Sequence, residues 1–245
     1  MILAAAQTKP KRGNITSNLL DHYRLIELAA QNGAQLIAFP EMSITGYERE
    51  NAAEMAFAED DYRIDHLKDL AADNNIIIVA GAPISIENQL FIGEFIIFPN
   101  DSVSIYTKQF LHEGEDEFFE STFDYNPMIT IDNQKISFAI CADIDNPKHP
   151  ENASKNKTDI YIASIFFSPN GIPNAYRDLQ SYAEKHKMNV LMSNFSGESW
   201  GYPSAGQSAF WNHNGELIGQ MNDSDSGLLL VEKRNDNWTS KIIVA

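Results

Sequence analysis

One thiol serves the whole chain. Cys141 closes a buried-looking strand, Ile136-Ser137-Phe138-Ala139-Ile140-Cys141, and Ala142-Asp143 follows at once. A single cysteine has no internal disulfide partner, so its value lies in packing or in reactivity. Its place favours reactivity, because residues at the carboxyl ends of strands line the crevices where α/β proteins do their chemistry. Two other short stretches set polar side chains at strand ends. One is Phe39-Pro40-Glu41-Met42-Ser43-Ile44-Thr45-Gly46-Tyr47; the other is Tyr106-Thr107-Lys108-Gln109-Phe110-Leu111, running on through Gly114-Glu115. Carboxylate, amine and thiol are the parts of nucleophilic catalysis, in which sulfur attacks carbon while neighbouring groups handle proton and charge. Taken singly, each has an ordinary explanation: a packed cysteine, a loop carboxylate, a solvated lysine.

The elements that must position these groups alternate in type. Ile2 to Ala6 reads as a strand. Ile15 to Asn32 places Leu19, Tyr23, Ile26 and Ala30 at helical spacing, with Gly33 to end the helix. Ala34 to Phe39 is a second strand stopped by Pro40, a helix runs from Asp61 to Asn74, and Ile76 to Ala80 is a strand ended by Gly81. Gln89 to Phe98 and Ser102 to Lys108 pair across Pro99-Asn100-Asp101, and Met128 to Ile131 pairs with Lys135 to Cys141. Asp159 to Ile165, Asn174 to Lys187 and Asn189 to Ser193 then read as strand, helix and strand. Two hairpins finish the chain, Gln207 to Asn212 with Glu216 to Met221 and Leu228 to Lys233 with Thr239 to Val244. No linker composition interrupts the series, so one domain over 1–245 of α/β class is expected.

Composition narrows the partners. The chain has 245 residues, 43% of them hydrophobic, enough for a sizeable core. Its 34 acidic against 18 basic residues give a net charge of −16, a field that repels nucleic acid and anionic membranes. No apolar run reaches transmembrane length, and the opening segment is too short for a signal peptide, so a cytoplasmic protein is expected. The six histidines show no metal-binding spacing, and no metal or cofactor is expected.

In order and with their flanking residues, the three stretches resemble the nitrilase, or carbon–nitrogen hydrolase, superfamily. The matching residues are Phe39-Pro40-Glu41 followed by Gly46-Tyr47, then Tyr106-x-Lys108-x-x-Leu111, then Ile140-Cys141-x-Asp143. Each alone is a weak pattern; the ordered set is specific. Met1 to Gln7 resembles the opening strand of that family. Gly206 to Phe210 with Asn214 to Gly219 resembles its late hairpin, so the likeness spans nearly the whole chain. It implies a four-layer α-β-β-α sandwich, paired into a homodimer. It also implies a Glu41–Lys108–Cys141 triad that cleaves a non-peptide carbon–nitrogen bond of a small linear amide with water. Glu115 matches a second family glutamate that helps position the triad.

The chemistry explains the residue types. A thiol splits one hard amide hydrolysis into thioester formation and thioester hydrolysis. A free thiol titrates near pH ~8.5, so Cys141 needs a nearby cation or base, and Lys108 and Glu41 would supply them. Lys108 and the backbone N–H of Ala142 would receive the oxyanion, a donor there being worth about 3–4 kcal/mol. Phe166 and Phe167, after the strand that follows Cys141, would line the acyl pocket, with Ser199-Trp200-Gly201-Tyr202 as a further wall. Asp143 is expected to secure the turn through backbone hydrogen bonds.

Cys141-Ala142-Asp143 resembles the amidase-like branches and not the nitrile-cleaving one. The continuation Ile144-Asp145-Asn146-Pro147 lacks the arginine with which some branches hold a carboxylate, and together with the Asp143/Asp145 pair this predicts a neutral or cationic substrate. Lys148 or Arg177, were either to reach the pocket, would reverse that expectation. Three alternatives stand beside the amidase reading: a hydrolase of N-carbamoyl amines, a catalytically silent small-amide binder, and a papain-like hydrolase. The last needs a histidine base, for which the sequence offers no convincing neighbourhood.

Overall fold

The computed structural model describes residues 1–245. In chain order its elements are β1 (Ile2–Gln7), α1 (Ile15–Gln31), β2 (Leu36–Ala38), α2 (Ala52–Met55), α3 (Asp65–Asn74), β3 (Ile77–Ile86), β4 (Gln89–Ile97) and β5 (Val103–Thr107). Then come β6 (Ile129–Ile131), β7 (Gln134–Ile140), α4 (Lys148–Lys155), β8 (Ile160–Ile165), α5 (Ile172–His186) and β9 (Asn189–Asn194). The chain finishes with β10 (Glu198–Ser199), β11 (Tyr202–Pro203), β12 (Ala209–Trp211), β13 (Leu217–Gln220), β14 (Gly227–Arg234) and β15 (Asn237–Val244).

Two sheets carry the molecule. The seven-stranded sheet runs β15-β14-β1-β2-β3-β4-β5 and the six-stranded sheet β13-β12-β9-β8-β7-β6, with β10 and β11 forming a separate small hairpin. Each large sheet has a parallel centre, β1-β2-β3 in one and β7-β8-β9 in the other, flanked by antiparallel strands. Parallel neighbours require crossover connections, and α1, α3, α4 and α5 lie on those crossovers.

Side-chain alternation along the central strands fills three apolar layers. Ala5, Ala38, Val79, Phe138, Ile162 and Leu191 point between the sheets. Their chain neighbours Ala4, Ile37 and Ile78 meet Leu25, Ile26 and Ala29 of α1 and Leu67 and Ala71 of α3. On the far side Ala139, Ala163 and Val190 meet Ala175, Leu179 and Ala183 of α5. Helix, sheet, sheet, helix: the four-layer sandwich follows from strands that are apolar on both faces. Complete burial of one such Leu or Ile side chain is worth ~1.5–3 kcal/mol. No helix is long and apolar enough to cross a membrane.

Local differences from the sequence reading have physical causes. The helix expected over 61–74 begins as a tighter 3-10 turn, Tyr62–Ile64, because the Asp61 carboxylate accepts the Arg63 N–H at 2.9 Å. The polar α4 escaped notice, since Lys148–Lys155 has no apolar periodicity long enough to register. Strand β3 does not stop at Gly81 but continues to Ile86. Glycine serves there as a clearance: a Cβ at Gly81 would lie 2.5 Å from the Met42 nitrogen. The loop carrying Glu41 crosses the strand at that point, with Ile44 N–H donating to the Gly81 carbonyl at 3.0 Å.

Candidate active site

The three stretches converge. Glu41 follows β2, Lys108 follows β5 and Cys141 follows β7, so two groups come from one sheet and the third from the other. Lys108 extends the β5 pairing through its N–H to the Ile92 carbonyl at 2.9 Å, and its side chain is wholly buried. Its Nζ donates to Glu41 Oε1 at 2.7 Å and to Glu115 at 2.8 Å. Glu115 also accepts the Tyr47 hydroxyl at 2.7 Å and the His112 N–H at 2.7 Å. One buried cation therefore binds two buried carboxylates. The second oxygen of Glu41, Oε2, is equally buried and has no hydrogen-bond partner.

Cys141 opens a 3-10 turn, Cys141–Asp143, with a left-handed φ of 42°. Such a backbone costs a residue with a Cβ about 1–3 kcal/mol and persists only when its surroundings over-determine it. Asp143 does that here. Its carboxylate accepts from the N–H groups of Ile140 (2.8 Å), Gln109 (2.9 Å) and Phe110 (2.8 Å), and from the Tyr106 hydroxyl (2.6 Å). The turn-securing role expected of Asp143 thus extends further, because it ties the Cys141 turn to the segment following Lys108. His149 lies behind it, between the Tyr106 and Tyr161 hydroxyls at 2.9 and 2.7 Å.

Electrostatics separates the two carboxylates. Burial pushes Glu41 up to about 7 against the pull of the Lys108 ammonium, with the Glu115 charge adding to the rise. Burial also works against the charge of Glu115, yet Lys108 and the hydrogen bonds from Tyr47 and the His112 amide hold it below the usual carboxylate range. Lys108, disfavoured by burial, is held well above its ordinary value by the two carboxylates. Burial and the Glu41 charge push the Cys141 thiol well up, and Lys108 only partly offsets them. The resting thiol is neutral. Two of the three N–H donors of the Lys108 ammonium are engaged by Glu41 and Glu115. Paired acids with divergent titration are the pattern of an acid/base site.

Glu41, Glu115 and Cys141 line a cavity of about 370 Å³ together with Phe166, Phe167, Tyr47, Arg49, His112, Trp200 and Tyr202, among others, whereas Lys108 is wholly buried and does not line it. Phe166 and Phe167 are both among the lining residues, and the Cys141 Sγ lies 3.8 Å from the Phe166 carbonyl oxygen. Ala142 does not line the cavity. It lines a separate surface depression with Gln109, Phe110, Asp145 and Pro147. Neither Lys148 nor Arg177 lines the cavity either; Arg177 is exposed and pairs with Asp178. The basic residue that does line it, Arg49, escaped sequence reasoning, as did His112. The only available signal was proximity to the Gly46-Tyr47 pair and to Glu115.

Beneath the site, on β4, Glu94 is fully buried with both carboxylate oxygens unpartnered, as is the Ser164 hydroxyl of β8. Burial pushes Glu94 up to about 8.

Comparison with known proteins agrees with this architecture. The chain belongs to the carbon-nitrogen hydrolase family, whose model matches residues 2–240. It is 24% identical over 236 residues to a nitrilase of Pyrococcus abyssi, covering 94% of this chain and 88% of that one. It is also 26% identical over 216 residues to the hydrolase in the agr operon of Staphylococcus aureus, covering 82% of each. Among solved structures, an amidase from Nesterenkonia sp. AN1 superposes with a TM-score of 0.86 at 21% identity, covering 96% of this chain and 92% of that one. That structure is of a cysteine-to-alanine variant in complex with butyramide.

Proposed function

We propose that this protein is an amidase that hydrolyses the carbon–nitrogen bond of a small linear amide through a thioester on Cys141. As Sγ attacks the carbonyl carbon, Glu41 Oε2 takes the thiol proton. The carbonyl oxygen gains the negative charge and is met by the Lys108 ammonium and the Ala142 N–H. Collapse of this tetrahedral species breaks the carbon–nitrogen bond while Glu41 hands its proton to the departing nitrogen. Water then enters, Glu41 takes one of its protons, and the oxygen attacks the thioester carbon. The second collapse releases the acid and the thiolate, which recovers its proton from Glu41. Glu115 and Tyr47 keep Lys108 in place throughout.

The observation that carries this reading is the division of labour within one carboxylate. Oε1 of Glu41 is fixed on Lys108, and Oε2 is buried, unpartnered and beside the cavity. A silent binder has no need to keep a buried base with a free lone pair, since an unpaired buried acceptor costs about 1–3 kcal/mol. The test is release of ammonia from a panel of linear amides together with intact-mass detection of an acyl adduct. Wild type is expected to show both and Cys141→Ala neither. Undiminished release by Cys141→Ala would sink the proposal.

A further inference from the structure

Arg49 makes no salt bridge with any carboxylate of the protein. Each of the other arginines has a carboxylate partner: Arg12 with Glu48, Arg24 with Asp21, Arg63 with Asp61, Arg177 with Asp178 and Arg234 with Glu232. Arg49 has none, in a chain with 34 acidic residues. Its nearest acidic neighbours along the chain, Glu48 and Glu50, both pair with Arg12; Glu48 also accepts the Arg49 backbone N–H at 3.0 Å, and Glu50 the Trp200 indole N–H at 3.1 Å.

What Arg49 does have is aromatic support and neutral acceptors. The guanidinium lies 4.5 Å from the centre of the Trp200 ring and 5.3 Å from that of Tyr47. Nε donates to the Tyr47 hydroxyl at 2.7 Å, and Nη1 to the Glu113 carbonyl at 3.1 Å. Glu115 is one hydroxyl further on, and its oxygens are already taken by Lys108, Tyr47 and the His112 amide. Of the five N–H donors that a guanidinium owns, two are in use. The remainder sit on a side chain that lines the same cavity as Cys141. A planar, stacked guanidinium with a free edge is the group best shaped to take a carboxylate through paired hydrogen bonds.

We propose that Arg49 is the anion-recognising element of this cavity, and that the amides hydrolysed here carry a carboxylate at the end remote from the scissile bond. This rests on the amidase reading for the reaction, not for the recognition. It is the opposite of the expectation of a neutral or cationic substrate, which followed from the missing arginine after Cys141 and from the Asp143/Asp145 pair. The guanidinium arrives instead from the loop that bears Glu41. The net charge of −16 does not forbid it. Distant surface charges are screened beyond about 8 Å at physiological salt, whereas a hydrogen-bonded pair against an aromatic wall is short-ranged.

The test separates recognition from chemistry. Cys141→Ala protein is titrated calorimetrically with the monoamides of succinic, glutaric and adipic acid. Each is paired with a neutral amide in which an isopropyl group replaces the carboxylate. At least one acid amide is expected to bind more than tenfold tighter than its neutral twin. Adding Arg49→Gln should shrink that ratio roughly 10–100-fold. A purely structural Arg49, holding Tyr47, would weaken both members of a pair together and leave the ratio unchanged. Equal or weaker binding of every acid amide in Cys141→Ala overturns the proposal without reference to Arg49→Gln, so a poorly folded double variant leaves the test intact. Wild-type turnover is read separately. Preferential binding without hydrolysis sinks the amidase reading and leaves Arg49 its role; hydrolysis of neutral amides with no acid preference does the reverse.

Discussion

Replacing Glu94 by glutamine should make the protein more tolerant of alkali. Glu94 lies between the sheets with both oxygens unpartnered, and burial raises it from the ordinary 4.5 to about 8. The folded chain therefore keeps a proton that the unfolded chain releases, and stability must fall as pH rises from the unfolded value towards the folded one. At pH 7 the gap is 7 − 4.5 = 2.5 units, which at 1.36 kcal/mol each costs about 3 kcal/mol. Between pH ~5 and ~8 roughly 3 kcal/mol should disappear from wild-type stability through this residue alone. Glutamine does not titrate. Its unpaired amide costs about 1–3 kcal/mol at every pH, so it shifts the curve without tilting it. The assay is urea unfolding of wild type and Glu94→Gln across that range. Glu41 tilts both curves alike, and the difference between them isolates Glu94. Parallel curves would show that Glu94 is either solvated or ionised in the folded state, and the argument from its burial would be wrong.

Three further outcomes follow from the site. Wild-type kcat/KM should rise with pH through about 7, as Glu41 sheds its proton and becomes a base; Glu41→Gln should lower kcat by roughly 10²–10⁴, and a wild-type profile flat across neutrality would contradict the assignment. Lys108→Met leaves Glu41 and Glu115 buried without their cation, so stability measured by denaturant at neutral pH should drop by about 3–5 kcal/mol and partly recover in acid. Asp143→Asn turns an NH2 towards donors that need an acceptor, at a cost of about 1–3 kcal/mol; by loosening the Cys141 turn it should depress kcat more than it raises KM, as steady-state kinetics would show.

Much of this candidate site could be read from the chain because Glu41, Lys108 and Cys141 follow the ends of strands. A strand end is marked locally by alternation, a proline or a turn residue. Those marks placed Glu41, Lys108 and Cys141 at strand ends, but only the ordered likeness to the carbon–nitrogen hydrolases joined them with Glu115 into one candidate site. Their mutual distances were not legible, because they depend on how two sheets pack, and no local pattern encodes that. Arg49 shows the limit most plainly. Its charge could be counted, but whether an acidic neighbour cancels it depends on Glu48 and Glu50 turning towards Arg12 across the fold. Gly81 tells the same story for the backbone: glycine within a strand reads as a terminator until the loop lying over it is seen.

The groups to which the proposed reaction is assigned are divided between the two halves of the sandwich, Glu41 and Lys108 on one and Cys141 on the other. Turnover is therefore a gauge of how the halves are seated. A slip of one ångström across the apolar seam, too small to unfold anything, is enough to cost about a hundredfold in rate. Gentle heating or pressure should silence the enzyme by dislocation before any helix melts, and an acyl group lodged on the sulfur should act as a rivet through both plates.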